Sequence, residues 1–561
     1  MLLCLGVVAR AGEPPVNWGD KIWQLQLDPA TGALVQLENK ADPQHMDWLR
    51  EPGHWDKRNW VPDRTPGAIS LDGQWGLVET AQTGLLHVAQ VKKISERAWE
   101  AVYTSSVLTV TVRRELDANG DLDETYTFKN TGVVKLDLPL GSASITAPFF
   151  DQYPDAKESL AARCHTHLWM GGSSAWINAM RMGTDAPHLG LVVTQGSLDA
   201  YSERGGTFND RGFFLLNPAA MSLKSGQSQI IAWKLFWHQG WDDFFAKLQK
   251  VDGFVRMTAK NYVVPVGQPL EISAESASPL DSAKVSVNGK PVATKLENGR
   301  LAASILATEP GDLKVELTNG GRKTWLNAHV TPVVDDLLAA RVKFIVRKQQ
   351  RVAPGDPLDG AYLSYDNETG QQVYDPKSSD HNAGRERTGM AVLCALYLPQ
   401  CKDAAFKAEL KQSLARYSAF LLRELEDEDG VVYGSLGHQN SKRIYNCPWV
   451  AQFHLAMYRA TSNTSELDRF VRVLRSYYAQ DGAKFYAIGL PIYDGLKALA
   501  ETKRTKDHDE LLADFPPACR LHPATGAELP ALRGELRAVH RRPGGATARR
   551  DVCRHGRSTL S

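Results

Sequence analysis

This 561-residue chain has no long apolar run and no large excess of charge of either sign. It also has no closely spaced CxxC pair of cysteines. No apolar run approaches the roughly 18 residues of a membrane span, so none is predicted. The formal net charge is +1, which leaves no basic surface for nucleic acid and no polybasic membrane patch. With 43% hydrophobic and 23% charged residues, the composition indicates a soluble globular protein of about three or four domains.

Seven cysteines are too few for a disulfide scaffold in a chain of this length. Four lie in the body of the chain: Cys164, Cys394, Cys401 and Cys447. No CxxC pair and no Cys/His zinc spacing is present, so we predict no metal and no cofactor. Buried thiols are expected, and export would allow one disulfide.

The first residues, "MLLCLGVVARAGEPP", resemble the second half of a secretory signal peptide. Leu2 to Val8 are apolar, and Ala9-Arg10-Ala11 fits a small-x-small cleavage site, although the positive amino-terminal region is missing. Residues 1–11 are therefore interpreted as a signal peptide remnant, and the protein as secreted or periplasmic. The alternative is an amino terminus that is merely apolar.

The pattern is β from about residue 16 to 250. Four stretches predict strands because they alternate or are bounded by Gly and Pro: "VLTVTVRREL" (107–116), "DETYTFKNTG" (123–132), "LGLVVTQG" (189–196) and "QIIAWKLFWHQG" (229–240). They predict a large β-supersandwich, closed by a helix over 241–251. Residues 253–333 give shorter strands around Asn288-Gly289 and Asn319-Gly320-Gly321, typical of a small Ig-like β-sandwich.

Helical periodicity begins at about residue 335. Six amphipathic stretches follow in series: 334–350, 387–399, 406–425, 447–461, 466–480 and 489–504. They predict an (α/α) six-hairpin toroid over 335–514, which we expect to be incomplete. From Phe515 onward nine arginines and no lysine occur, and we interpret 515–561 as an aberrant basic tail translated out of frame. The alternative is a natural basic, disordered tail.

Two polar loops precede two of these helices. In "SSDHNAGRERTGMAVL" and "YGSLGHQNSKRIYNCPWV", ionisable residues crowd before an apolar helix, which needs only one cap and one acid at its start. Because loops at one end of a toroid converge, we expect a shared cleft. Its predicted catalytic residues are His381, Arg385, Glu386, His438, Asn440 and Tyr445, and Asp380 and Arg387 are predicted to bind substrate.

Each of these residues has an ordinary structural alternative. Asp380 would serve as a helix cap, and Arg385, Glu386 and Arg387 as solvated charges of a first turn. Asn446 is the predicted cap of the second helix, with Pro448 in its first turn. His454, between Phe453 and Leu455, is predicted to be a core histidine.

A second polar group occurs in the β region. His165, His167 and Trp169 share one face of a predicted strand in "RCHTHLWMGG", and we expect them to bind sugar, with the indole stacking on a pyranose. His-x-His can also be half of a metal site, but no third ligand follows at a supporting spacing. "DANGDLDE" (117–124) resembles a calcium loop, but a hairpin turn is the preferred interpretation.

The order of domains, with "SSDHNAGRERTGMAVL" and "YNCPWVAQFHLAMY", resembles the six-hairpin glycosidase-like carbohydrate-active proteins. Within that group the layout, over residues 16–514, is similar to the family of the rhamnose–glucuronate lyases of arabinogalactan breakdown. The resemblance implies an exported enzyme that acts on a polysaccharide or oligosaccharide.

The residue types favour β-elimination beside a uronate. That reaction needs a base such as His or Tyr, and cations or amides to neutralise the carboxylate. A six-hairpin glycoside hydrolase, the first alternative, needs two carboxylates, and no convincing second acid occurs near 438–446. The second alternative is a non-catalytic glycan-binding protein or an inactive remnant.

Overall fold

The computed structural model describes residues 14–49, 76–77, 86–203, 210–374, 385–440, 444–482 and 489–520. The chain forms two compact units, which divide between Pro332 and Val333. The first unit is built mainly of β-strands, and the second mainly of helices. The predicted order of β structure followed by α structure is therefore confirmed. The predicted signal peptide, 1–11, lies outside the described residues.

Long antiparallel strands make up the first part of the first unit, as the alternation predicts. Its strands are β1 (Val16–Gly19), β2 (Trp23–Leu27), β3 (Leu34–Asn39), β4 (Gly76–Leu77), β5 (His87–Ser95), β6 (Ala98–Thr104), β7 (Leu108–Leu116), β8 (Leu122–Asn130), β9 (Leu136–Leu138), β10 (Ile145–Gln152), β11 (Cys164–Trp169), β12 (Trp176–Arg181), β13 (His188–Gln195), β14 (Leu198–Glu203), β15 (Asp210–Pro218), β16 (Met221–Leu223) and β17 (Ser228–His238). Helix α1 (Ala156–Ala162) lies between β10 and β11, and α2 (Trp241–Leu248) follows β17.

These strands form one wide sheet and three smaller ones. The wide sheet has the order β11-β12-β13-β17-β8-β7-β6-β5. The others are β14-β15-β10-β4, β1-β2-β3 and the pair β16-β9. A single apolar core joins the wide sheet to β1-β2-β3 and to β10, and its largest buried side chains include Trp23, Trp48 and Trp233.

Strands β7 and β8 show how the alternation works and where it is broken. Leu108, Val110 and Val112 of β7 face the core, as period-2 alternation requires. Arg114 continues the same face and is also buried, because it pairs directly across the ladder with buried Glu124. A buried charge is tolerated when it is paired and hydrogen-bonded in this way.

The turn between β7 and β8 is a hairpin, as predicted for "DANGDLDE". An ammonium group occupies the centre of its acidic residues: Lys234 Nζ, from β17, lies 2.5 Å from Asp117 Oδ2, 3.3 Å from Asp121 Oδ2 and 3.8 Å from Asp123 Oδ1. The positive charge that a metal would have supplied therefore comes from the chain itself.

Short strands continue to the end of the first unit. They are β18 (Arg256–Ala259), β19 (Val263–Pro265), β20 (Pro269–Glu275), β21 (Lys284–Val287), β22 (Lys290–Pro291), β23 (Lys295–Glu297), β24 (Arg300–Leu306), β25 (Gly311–Asn319) and β26 (Arg322–Thr331). Two sheets, β18-β20-β24-β23 and β19-β26-β25-β21-β22, enclose a core of their own. Gly320 and Gly321, at φ of 55° and 81°, form the two-residue turn between β25 and β26, which needs positive φ at both positions.

The second unit is a series of helices. They are α3 (Val334–Phe344), continued by a π-helical turn (Ile345–Gln349), α4 (Arg385–Tyr397), α5 (Ala404–Glu424), α6 (Cys447–Thr461), α7 (Thr464–Ala479), α8 (Ile492–Glu501) and α9 (Thr505–Arg520), with a small hairpin of β27 (Tyr365–Asp366) and β28 (Gln371–Gln372). All six predicted helices are present. None of the helices in the described ranges is long and apolar enough to cross a membrane.

Helix α9 was not predicted, and it continues six residues past the expected boundary at 514. Buried Leu511 joins the core of the helical unit, and Arg475 of α7 binds Asp507 of α9 at 2.7 Å. Contacts with its neighbours therefore stabilise a helix whose first six residues are all polar and whose last turns contain Pro516 and Pro517. The remainder of the predicted tail, 521–561, lies outside the described residues.

Candidate functional site

The two helices that follow the polar loops both contact one residue of α5. Tyr417, in the middle of α5, contacts both of them. Its hydroxyl donates to Thr388 Oγ1 at 3.2 Å, in the first turn of α4, and its ring centroid lies 5.2 Å from that of Phe453, in the second turn of α6. The first turn of α4 and the second turn of α6 therefore lie on either side of one tyrosine.

Few positions can be given for the side chains of the first polar loop, which precedes α4. Asp380 and His381 lie outside the described residues. Arg385, Glu386 and Arg387 form the first turn of α4, and their side chains also lie outside the described part of the chain.

The second loop holds a strained backbone around His438. Gly437, His438 and Asn440 have φ of 64°, 55° and 60°, in the left-handed region. A histidine there costs of the order of 1 kcal/mol, so the surrounding structure must hold it. Glu424, at the end of α5, supplies that hold: its Oε2 accepts from the Gly437 N–H at 2.9 Å, and its carbonyl accepts from the His438 N–H at 3.1 Å.

The imidazole of His438 is exposed and rests on the ring of Tyr433. The two ring centroids are 5.0 Å apart, with 26° between the planes. The Tyr433 hydroxyl donates to Asp427 Oδ2 at 2.9 Å, and this hydrogen bond, with partial burial, raises the pKa of Tyr433. The site therefore presents a solvent-facing imidazole on an aromatic ring that is itself anchored.

Asn440 and Tyr445 lie close to His438 in the chain. Asn440 is exposed, and its carbonyl accepts from the Gly434 N–H at 3.2 Å. Tyr445 is half-buried in a 3-10 turn over Ile444–Asn446 that leads into α6. The structure thus places these two predicted residues on either side of 441–443, which lie outside the described residues.

Asn446 lies at the cap position of α6, as predicted, but its side chain does not cap the helix. Asn446 has φ −83° and ψ −20°, because the chain is already helical in the preceding 3-10 turn, and its side chain makes no capping hydrogen bond. Its amide is buried, and among the described residues neither its nitrogen nor its oxygen has a partner. Water or a polar ligand group would satisfy both atoms. Pro448 lies in the first turn of α6, as predicted.

His454 is buried, so the prediction of a core histidine is confirmed. It is nevertheless a charged core histidine. Its Nδ1 lies 2.6 Å from Glu466 Oε2, and its Nε2 lies 2.5 Å from Glu426 Oε2. Burial opposes its protonation, but the carboxylates of Glu426 and Glu466 outweigh burial and raise the pKa of His454 to about 9. This network ties α6 to the end of α5 and to α7.

The polar group of the β region lies on β11, at one edge of the wide sheet. The rings of His165 and His167 are 5.2 Å apart, and that of His167 is 4.9 Å from Trp241 of α2. Loss of hydration lowers the pKa of His167, although its side chain remains largely exposed. Trp169 is half-buried and nearly parallel to Trp176, at 6.3 Å and 12°.

No three His, Cys, Asp or Glu side chains in the described ranges are arranged to hold a metal ion. The predicted buried thiols are confirmed, since the four described cysteines are all buried and free: Cys164, Cys394, Cys401 and Cys447. Burial raises the pKa of Cys394 and of Cys447 to about 12, so neither is a thiolate at neutral pH.

No family model matches the chain, and no curated protein matches it. Among solved structures, a polysaccharide lyase superposes with a TM-score of 0.78 at 32% sequence identity. The match covers 90% of this chain and 75% of the lyase. The chain belongs to the family of this polysaccharide lyase. The resemblance to carbohydrate-active enzymes that was drawn from the sequence is thereby confirmed.

Two further solved structures are far less similar than this lyase. A galactose mutarotase related enzyme from Lactobacillus acidophilus has a TM-score of 0.27 at 8% identity, over 41% of this chain and 99% of its own. A heparan sulfate lyase from Pedobacter heparinus has a TM-score of 0.26 at 10% identity, and the match covers 57% of this chain and 41% of the heparan sulfate lyase. TM-scores this low establish neither a shared fold nor a shared function.

In this member of the lyase family, three residues beside His438 were not predicted from the sequence. They are Glu424, Asp427 and Tyr433. Tyr433 opens the same polar segment, five residues before His438, so a tyrosine within the loop was the available signal. Glu424 gave no signal, because a glutamate at the end of a helix is ordinarily a solvated charge.

Proposed function

We propose that this protein is an exported polysaccharide lyase that breaks a glycosidic bond beside a uronate by β-elimination. One observation carries the proposal: His438, in the loop that precedes α6, is exposed, held in a left-handed conformation and stacked on Tyr433, in a member of a polysaccharide lyase family. Backbone strain of this kind clusters at functional sites.

The reaction assigns a role to each predicted residue. The imidazole of His438 removes the proton on C5 of the uronate, which is acidic because it lies beside the carboxylate. The C5–H electron pair forms the C4–C5 double bond while the C4–O bond breaks, and Tyr445 donates a proton to the departing oxygen. Asn440 and Arg385 neutralise the carboxylate as charge develops on it. Asp380, His381, Glu386 and Arg387 complete the substrate contacts.

Two features support a shared cleft between the polar loops. Tyr417 contacts the first turn of α4 and the second turn of α6, and we propose that the loops that precede these helices end near each other. Asn446, directly before α6, has a buried amide without a partner among the described residues, as expected beside a site that takes a polar ligand. We propose that α4 to α9 are hairpins of an (α/α) toroid whose funnel holds this cleft.

Hydrolysis is less well supported. The carboxylates described near His438, those of Glu424 and Asp427, are already engaged as acceptors: Glu424 by Arg423 and Gly437, and Asp427 by the Tyr433 hydroxyl. A hydrolase needs one carboxylic acid that can protonate the leaving group and a second, ionised carboxylate.

Ultraviolet absorbance during incubation with a glucuronate-bearing arabinogalactan tests the proposal, because only elimination creates a conjugated double bond. Wild-type protein should raise the absorbance, and His438→Ala should lower the rate by about a hundred- to ten-thousandfold, the usual effect of losing a general base. His508→Ala is a matched control in the same unit, on helix α9, and should keep the wild-type rate.

The other outcomes separate the alternatives. New reducing ends without absorbance would identify a hydrolase. Binding without either product would identify a glycan-binding protein. An unchanged rate in His438→Ala would refute the role of His438 even if the protein is a lyase. Export is tested by finding the chain in the periplasm or medium after expression with its own amino terminus.

A further inference from the structure

Four aromatic rings form a continuous row on the first unit. In spatial order they are Tyr262, Trp169, Trp176 and Trp241, and we call them the aromatic row. Successive ring centroids are 6.1, 6.3 and 6.2 Å apart. Trp169 and Trp176 are directly paired across β11 and β12, while Trp241 begins α2 and Tyr262 precedes β19.

Packing buries the middle of the row more than its ends. Trp169 packs against the core of the small sandwich, and Trp176 against α2. Trp241 and Tyr262 remain 38% and 37% exposed. Two large aromatic rings that keep more than a third of their surface exposed, one at each end of a row, are a feature of binding surfaces, since such rings dominate binding energy once they are covered.

Polar groups beside the row can hydrogen-bond to hydroxyls but offer little net charge. His167 is exposed next to Trp241, and its lowered pKa keeps it neutral, so it has one donor and one acceptor nitrogen. Arg256 lies over the Phe245 ring at 3.6 Å, and its charge is paired with Glu275 at 3.3 Å. Lys260, two residues before Tyr262, is paired in the same way with Glu271.

From this combination we infer that the aromatic row is a glycan-binding surface that takes neutral pyranose units of a polysaccharide chain. The C–H face of a pyranose is apolar and stacks on an indole or phenol ring, while its hydroxyls meet groups such as His167. The inference rests on the proposed function, because it assigns this surface to the polysaccharide that the proposed lyase would cleave. The row would retain the polymer independently of the His438 site.

Binding of a neutral galactan and of a glucuronate-bearing arabinogalactan, measured by affinity electrophoresis of the full chain, tests this surface. A His438→Ala background prevents turnover from changing the polymer. Truncation of the exposed ends in Trp241→Ala/Tyr262→Ala should weaken binding of both polymers about tenfold, the effect expected when stacking on two rings is lost. Because stacking is not an ion pair, raised salt should leave the affinity unchanged.

Two further variants separate loss of the surface from loss of the fold. Trp241→Phe/Tyr262→Phe keeps both rings and should keep most of the affinity. Tyr201→Ala removes a tyrosine of the same unit that is 48% exposed and whose ring contacts Phe214, which is not in the row, and this variant should bind as wild type. Wild-type affinity in the double alanine variant, or equal weakening in Tyr201→Ala, would overturn the inference.

The result is distinguishable from failure of the proposed function. Elimination activity with unchanged binding in the double alanine variant would overturn the surface and leave the lyase intact. Row-dependent binding without elimination would keep the surface and refute the lyase. Binding of the uronate polymer alone, lost at raised salt, would show that the occupant is an acidic group and not a neutral pyranose.

Discussion

Raising the pH from 6.5 to 9 should destabilise the second unit, because His454 is held there as an imidazolium between two carboxylates. The ring is 1% exposed, and its two nitrogens lie 2.5 and 2.6 Å from oxygens of Glu426 and Glu466. Burial alone would favour the neutral ring, but the two carboxylates outweigh it and raise the pKa to about 9.

The size and sign of the effect follow from proton linkage. The unfolded chain releases this proton at about pH 6.5, whereas the folded chain keeps it to about pH 9. The stabilisation is therefore fully present below pH 6.5 and is lost as the pH rises through 9. It corresponds to about 3 kcal/mol, which is large beside the roughly 5–15 kcal/mol that keeps a typical domain folded.

Thermal unfolding followed by the helical circular-dichroism signal, at a series of pH values, measures this effect. The midpoint of the wild type should fall between pH 6.5 and 9. His454→Gln should be less stable at pH 6.5 but nearly flat across the interval, because glutamine does not titrate. A flat wild-type curve, or an equal fall in His454→Gln, would refute the reasoning.

Three further predictions use other polar contacts. Burial lowers the pKa of His238 to about 4, so about 3 kcal/mol of stability that is present above pH 6.5 should be lost as the pH falls towards 4. Calorimetry should find this loss in the wild type, and the same loss in His238→Gln would contradict the prediction. Lys234→Met should lower the free energy of unfolding by about 1–3 kcal/mol, since it leaves Asp117 and its acidic neighbours without their cation; Lys234→Arg is the control, and equal denaturation midpoints for all three proteins would contradict it. Glu424→Ala should release the loop around His438 and so lower the kcat of the proposed lyase reaction about tenfold to a hundredfold, with little change in KM. Glu424→Gln keeps a side-chain acceptor and should keep most of the rate, so equal kcat values for the two variants would argue against this positioning role.

The elements were largely predictable because their signals are local. Strict alternation over 107–116 predicted a strand, and β7 spans Leu108–Leu116. Apolar spacing and Pro448 predicted a helix over 447–461, and α6 has those bounds. Helix α9 was missed because its first six residues are all polar and Pro516 and Pro517 follow near its end, so its buried Leu511 could not be recognised as part of a core.

The candidate site was only partly predictable. His438, Asn440 and Tyr445 could be selected because one short segment holds an unusual number of polar residues. Glu424 could not, because its role depends on the fold of the loop that returns to the end of α5. The position of Asn446 before α6 was predicted correctly, but its side chain makes no capping hydrogen bond because it already belongs to a 3-10 turn, which a capping pattern does not reveal.

By itself, the sequence determined the order of β and α regions, most element positions and the two polar loops. It could do so because the strand period of 2 residues, the helix period of 3.6 residues and the clustering of polar residues can all be recognised in consecutive residues. Only the tertiary structure decided which charges meet, such as Lys234 with Asp117, or His454 with Glu426 and Glu466. It also decided that Trp169 and Trp176 join Tyr262 and Trp241 in one row. These partners come from separate strands and helices, so their contacts depend on how the elements pack and not on any spacing along the chain.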